Sequence, residues 1–225
     1  MKTLKHELPK IEMVIFDLDG TLVDSKKDLA MGVNATREHL GLAALPLETV
    51  TSYVGHGVVV LIKNALGDNA SKGNVEKGLA FFLDYYGRHL LDNTVAYPGV
   101  RETLAELGDR KLAILTNKPT RLSREIIEGL GLIRYFSEIC GGDSFPLKKP
   151  DPMGINTLMK TLSTTAGRTL MVGDSDTDIL TGRNAGVWTC GVTYGYGAES
   201  VEKAAPDLLI ENLRELPLLL DGRKG

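Results

Sequence analysis

Residues 13–24, Met-Val-Ile-Phe-Asp-Leu-Asp-Gly-Thr-Leu-Val-Asp, constrain this chain more than any other stretch. Four apolar residues in a row, Met13 to Phe16, suit a strand buried on both faces of a parallel sheet, where no polar alternation is required. The run stops at an acid, Asp17, with a second acid, Asp19, just beyond and Gly20 behind it to let the backbone turn. In open α/β sheets ligands bind outside the carboxyl ends of the strands, so both carboxylates belong on the floor of a cleft. Two like charges about 4 Å apart repel by on the order of 4 kcal/mol at an effective dielectric near ~20. Something positive must offset that repulsion, and an all-oxygen set of ligands suits Mg²⁺. The competing reading is a plain turn with Asp19 capping the segment after it. The residues downstream decide between the two.

From residue 24 to residue 93 the pattern is helical and no strand is expected. Leu29, Val33, Thr36 and Leu40 recur at helical spacing, and Gly41 is a natural stop. Pro46 opens a segment in which Val50, Tyr53 and Val54, then Val58, Val59, Leu61, Ile62 and Leu66, read as helix broken at Gly55-His56-Gly57. Val75, Leu79, Phe82, Leu83, Tyr86 and Leu90 form another helical face. Residues 24–93 are therefore expected to be an inserted all-helical subdomain. The α/β pattern restarts at Tyr97-Pro98-Gly99-Val100. Helices are expected over 100–107, 120–130, 152–162 and 177–185, and strands over 111–116, 137–140, 169–173 and 187–193. A last strand-and-helix unit spans 208–220. Strands alternating with helices imply a doubly wound parallel sheet, assigning residues 1–23 and 94–225 to one Rossmann-like core.

Composition narrows the class. A net charge of −3 and a pI near 5.9 leave no basic footprint for nucleic acid or an anionic membrane. No apolar run approaches the roughly 20 residues needed to span a bilayer. The segment 1–6 lacks the apolar stretch of a signal peptide, because Glu7, Pro9, Lys10 and Glu12 interrupt it. The expectation is a cytoplasmic protein, monomer or homodimer. Cys140 and Cys190, each in an apolar setting beside glycine, read as core thiols rather than a disulfide or a metal site.

Three further polar groups fall where the sheet would carry them toward Asp17. Thr116-Asn117 ends the second core strand, Lys149 lies just before a helix in Lys148-Lys149-Pro150, and Asp174 follows the strand ending at Gly173, with Asp178 close behind. None of these strand ends offers a His, a Cys or a Ser-His pair, which argues against most zinc chemistry and against Ser-His or Cys-His triads. A carboxylate nucleophile helped by a metal and a lysine remains. Singly, Thr116 could merely end its strand, Asp178 start its helix and Lys149 sit on the surface.

Taken in order, Asp17-Leu18-Asp19-Gly20-Thr21, Thr116-Asn117, Lys149-Pro150 and Gly173-Asp174-Ser175-Asp176-Thr177-Asp178 resemble the four motifs of the haloacid dehalogenase superfamily over nearly the whole chain. The helical block resembles that superfamily's cap. The resemblance implies that Asp17 attacks phosphorus, that Asp19 serves as general acid and then base, and that Lys149 neutralises charge. It further implies that Asp17, Asp19 (through its backbone carbonyl), Asp174 and, in support, Asp178 hold Mg²⁺, and that Thr116 and Asn117 bind phosphoryl oxygens. Expelling an alkoxide requires a proton, whereas displacing a halide does not, so the presence of Asp19 favours phosphate ester hydrolysis.

Within the superfamily, Tyr97-Pro98-Gly99-Val100, Thr116-Asn117-Lys118-Pro119, Lys148-Lys149-Pro150 and Gly191-Val192-Thr193-Tyr194-Gly195-Tyr196 are similar to the phosphoglycolate phosphatases. That likeness implies a small phosphorylated metabolite as partner and 2-phosphoglycolate as substrate. Gly55, His56 and Gly57 resemble its specificity loop, while His56 and Lys26-Lys27 depart from its usual sequence. For a carboxylate at the far end of the substrate, Lys118, Lys63 and His56 are all candidates. A pyrophosphatase, a sugar-phosphate phosphatase, a phosphomutase and a non-catalytic phosphate-binding protein stay open as alternatives. Thr21 leans against the mutase and the intact Asp17–Asp19 pair against the binder.

Overall fold

The computed structural model describes residues 8–222. The segment 1–6, read above as no signal peptide, lies outside the described residues. The chain opens with β1 (Met13–Phe16) and the short β2 (Val23–Asp24), then runs through α1 (Lys26–His39), α2 (Leu47–Thr51), α3 (Val58–Leu66) and α4 (Lys72–Arg88). After β3 (Val95–Ala96) come α5 (Val100–Glu106), β4 (Lys111–Leu115), α6 (Thr120–Gly129), β5 (Glu138–Cys140) and α7 (Met153–Thr161). The last part comprises β6 (Thr169–Gly173), α8 (Asp176–Asn184), β7 (Trp188–Val192), α9 (Ala198–Lys203), β8 (Leu208–Ile210) and α10 (Glu215–Leu220).

Six of these strands form one parallel sheet in the order β5-β4-β1-β6-β7-β8. β1 lies at its middle, and the apolar run explains why. Val14 and Phe16 enter one hydrophobic cluster while Met13 and Ile15 enter the other, so both faces of the strand are sealed. The order reverses between β1 and β6, the switch point at which doubly wound sheets open a crevice.

The helices between β2 and β3 pack on themselves. In α4 the buried positions Val75, Gly78, Phe82 and Tyr86 form one stripe. Gly32 of α1 lets that stripe come close, since a Cβ there would sit 3.0 Å from the Phe82 ring. One feature of this region was not expected from the sequence. The two chain passages joining the helices to the sheet pair as an antiparallel ribbon, Val23 with Ala96 and Asp24 with Val95. Asp24 thus belongs to a strand, and two-residue strands carry no periodicity by which a sequence could announce them. Helix α9 was likewise not expected.

Beside the ribbon, Asp28 of α1 is buried and accepts four hydrogen bonds. They come from the Asn93 N–H (2.9 Å) and amide (2.7 Å) and from the Thr94 N–H and hydroxyl (2.7 Å each). Burial pushes this carboxyl up, but the Asn93 and Thr94 donors outweigh it and hold the group below its ordinary value. A carboxyl lowered in this way contributes stability above its unfolded value and loses it as pH falls through the folded one. Asp28→Ala, which strands these donors, is expected to cost about 1–3 kcal/mol in urea melts at pH 7. The deficit should shrink only in strong acid; one that stays constant down to pH 2 would contradict this account.

Candidate active site

The carboxyl ends of β1, β4 and β6 meet in one cleft. Asp17 continues β1 and its N–H donates to Val172 O on β6 at 2.9 Å, which sets it beside Gly173-Asp174. Lys149 Nζ sits 2.9 Å from Asp17 Oδ1 and 2.6 Å from Asp178 Oδ1, wholly enclosed between the two acids. Burial works against the ammonium, but Asp17 and Asp178 overcome it and hold its pKa above the ordinary lysine value, so Lys149 stays charged. The contact with Asp17 Oδ1 is an ion pair that lacks hydrogen-bond alignment, and no other described donor reaches that oxygen.

Asp174 lies across from Asp17. Its Oδ2 accepts from the N–H groups of Tyr196 (2.7 Å) and Gly197 (3.2 Å), and its Oδ1 accepts from the Thr21 hydroxyl (3.2 Å). The chain must be glycine opposite it. Gly20 has φ +84°, and a Cβ there would stand 2.3 Å from Asp174 Oδ2. Asp178 also serves its own helix, since its Oδ2 accepts from the N–H (3.1 Å) and hydroxyl (2.7 Å) of Ser175, which precedes α8. With both oxygens engaged, Asp178 chiefly anchors Lys149.

These three acids also satisfy the test for a cation. Asp17, Asp174 and Asp178 are buried, and each offers an oxygen within 4.8 Å of the others. Burial, together with Asp178 and despite Lys149, pushes Asp17 up to about 6. Burial and the charges of Asp178 and Asp17 push Asp174 up to about 8. Three acids face one ammonium, and one Asp17 oxygen has no hydrogen-bond donor. An oxygen-seeking divalent cation fits that deficit.

A raised acid withholds stability as pH rises from its unfolded value near ~4 to its folded one, because the unfolded chain sheds protons that the fold retains. A bound dication reverses this penalty by releasing those protons. The rise in Tm on adding Mg²⁺ is therefore expected to be larger at pH 8 than at pH 5.5. A pH-independent rise would contradict the assignment.

Asp19 faces the helices. The Ser25 hydroxyl donates to its Oδ1 at 2.5 Å, and Lys118 Nζ lies 2.9 Å and 3.2 Å from its two oxygens. Thr116 Oγ1 accepts from the Lys118 N–H at 3.3 Å. The Asn117 side chain is fully committed to backbone. Its amide donates to Gly55 O (2.8 Å) and Lys149 O (3.1 Å), and its carbonyl accepts from Lys149 N (3.1 Å).

Between sheet and helices lies a cavity of about 50 Å³, with Asp17, Asp19, Thr116, Asn117 and Lys118 on the sheet side. Leu29, Tyr53, Val54, Val58, Leu61, Phe82 and Leu122 make the other walls apolar. Gly55 and Gly57 line it, with φ of +110° and +88°. His56 between them is exposed and does not line the cavity, and neither does the exposed Lys63. The structure thus gathers Asp17, Lys149, Asp174 and Asp178 in one cluster and sets Asp19 with Asp17 on the cavity wall, but leaves His56 and the exposed Asp176 outside. Sequence reading missed Ser25 and Tyr86 as polar partners. Tyr86 scans as one more apolar position on α4, and nothing in the sequence marks where its hydroxyl ends.

Residues 14–192 match the family described as haloacid dehalogenase-like hydrolase, and this chain belongs to that family. It is 41% identical over 215 residues to a phosphoglycolate phosphatase of Vibrio parahaemolyticus, covering 92% of this chain and 94% of that protein. A phosphoglycolate phosphatase of Chromobacterium violaceum is 42% identical over 219 residues, with 95% and 96% covered. Among solved structures, a predicted phosphoglycolate phosphatase from Haemophilus somnus 129pt superposes with a TM-score of 0.88 at 32% identity, covering 92% and 97%. Among the described residues no helix is long and apolar enough to cross a membrane.

Proposed function

We propose that this chain is a Mg²⁺-dependent phosphatase that hydrolyses a small phosphate monoester, 2-phosphoglycolate, through an aspartyl-phosphate on Asp17. The observation that carries the reading is the buried juxtaposition of Asp17, Lys149 and Asp174, with Asp19 lining the same cavity as Asp17. Asp17, Asp174 and the backbone carbonyl of Asp19 would hold Mg²⁺, with Asp178 in support, and the bound ion would supply positive charge beside the transferring phosphoryl group.

The Asp17 carboxylate attacks phosphorus, the ester P–O bond breaks, and Asp19 gives its proton to the departing alkoxide. Water then attacks the phosphoaspartate and loses a proton to Asp19, which frees phosphate and restores both groups. Lys149 keeps Asp17 ionised and lets a dianion approach a cluster of acids. Thr116 and the backbone at Asn117 would receive phosphoryl oxygens. Residues 24–93 would act as a cap over residues 1–23 and 94–225, excluding water during turnover.

The substrate's identity rests on the relatives and on the cavity. The space is small, its far walls are apolar, and one ammonium lines it. Those properties suit a short monoester better than a diphosphate, which needs more cations, or a sugar, which needs many hydrogen-bonding groups. The test is phosphate release from a panel containing 2-phosphoglycolate, pyrophosphate and sugar phosphates, with Mg²⁺ and with a chelator. Fastest release from 2-phosphoglycolate, abolished by the chelator and restored by Mg²⁺, is expected. Isomerised sugar phosphate in place of free phosphate would point instead to a mutase.

A further inference from the structure

The cleft holds an ammonium that the chemistry above does not use. Lys118 is buried, and it is the one cation among the described residues lining the cavity. Its Nζ contacts Asp19 at 2.9 Å and 3.2 Å, donates to Tyr86 Oη at 2.7 Å, and lies 4.8 Å from the centroid of the Tyr86 ring. Tyr86 belongs to α4, so this contact crosses from the sheet side of the cleft to the helices. Burial, then the charges of Asp19 and Asp28, keep the phenol protonated. It meets Lys118 as a neutral acceptor.

The geometry points to Lys118 as the group that reads a second anion on the substrate, held for that purpose by Tyr86. This inference rests on the phosphatase reading and adds how the substrate is selected. A phosphoryl group over Asp17 leaves the rest of a short ester facing Leu29, Val54, Leu61 and Phe82, which offer a carboxylate nothing. Lys118 is the positive side chain lining that space among the described residues. An ester bearing a carboxylate gives the ammonium a second anionic partner beside Asp19. An uncharged ester of the same length leaves Lys118 paired with Asp19. Tyr86 is a positioning residue, because its hydroxyl accepts from the same ammonium that Asp19 holds.

The test compares kcat/KM for 2-phosphoglycolate with that for ethyl phosphate, which has the same carbon count and no carboxylate. In the parent enzyme the first should greatly exceed the second. Lys118→Met is expected to reduce that ratio by about 100-fold, as loss of one partner of a buried charge pair does. Lys118→Arg should restore part of it. Tyr86→Phe keeps the ring and loses the hydroxyl; it should raise KM for 2-phosphoglycolate by about 3–10-fold, with a smaller change for ethyl phosphate. Equal losses on both esters in Lys118→Met, with the ratio intact, would overturn the inference while leaving the phosphatase reading in place. A parent enzyme that releases phosphate yet shows no preference for the carboxylate would overturn the choice of substrate and this inference with it.

Discussion

Asp17→Asn should lose phosphate release by about 10⁴–10⁶-fold in kcat, the scale seen when a nucleophile is removed from a concerted catalytic group. The amide cannot form the acyl phosphate, and the change is nearly isosteric, so folding is not the cause. Lys149 retains Asp178 as a partner at 2.6 Å, which keeps the ammonium compensated. Two measurements separate the outcomes. Thermal melting should stay close to that of the parent, and acid-quenched protein incubated with labelled substrate should carry label in the parent but not in the variant. Residual turnover within tenfold of the parent would rule out Asp17 as nucleophile.

The second large effect is on stability. Lys149→Met fills the same space without charge and leaves Asp17 and Asp178 buried together. Removing one partner of a buried ion pair typically costs about 3–5 kcal/mol, because the remaining charge has neither water nor a counterion. A loss of that size is expected in urea melts at pH 7 without metal. The double variant Lys149→Met/Asp178→Asn should recover part of it, since one stranded carboxylate is gone. If the single variant melts within about 1 kcal/mol of the parent, the ammonium does not hold this cluster together.

The core was legible in the sequence because its signals are local. Met13 to Phe16, and Leu170 to Val172 before Gly173, are unbroken apolar runs, and each ends at the acid its strand delivers to the cleft. A parallel sheet needs such runs, and its register then sets Asp17 beside Asp174 without further instruction. The rest depends on approaches between distant segments. Nothing near residue 86 indicates that its hydroxyl will meet residue 118, because that contact exists only after α4 folds down over the sheet. His56 illustrates the opposite failure. Lying between two cavity-lining glycines, it invites assignment to the cavity, yet the positive φ at Gly55 and Gly57 carries the backbone past the cleft with the imidazole exposed. Sequence adjacency could not settle which way that side chain faces.

The Asn117 amide has a mechanical consequence. Two of its three hydrogen bonds hold the backbone of Lys149 on the sheet side, and only one reaches across to Gly55. Swinging the helices away therefore forfeits a single neutral bond at this point, about 0.5–1.5 kcal/mol. The ammonium beside the nucleophile stays seated throughout. In the proposed capping role, product would leave through an opened seam while Lys149 keeps its bonds to Asn117.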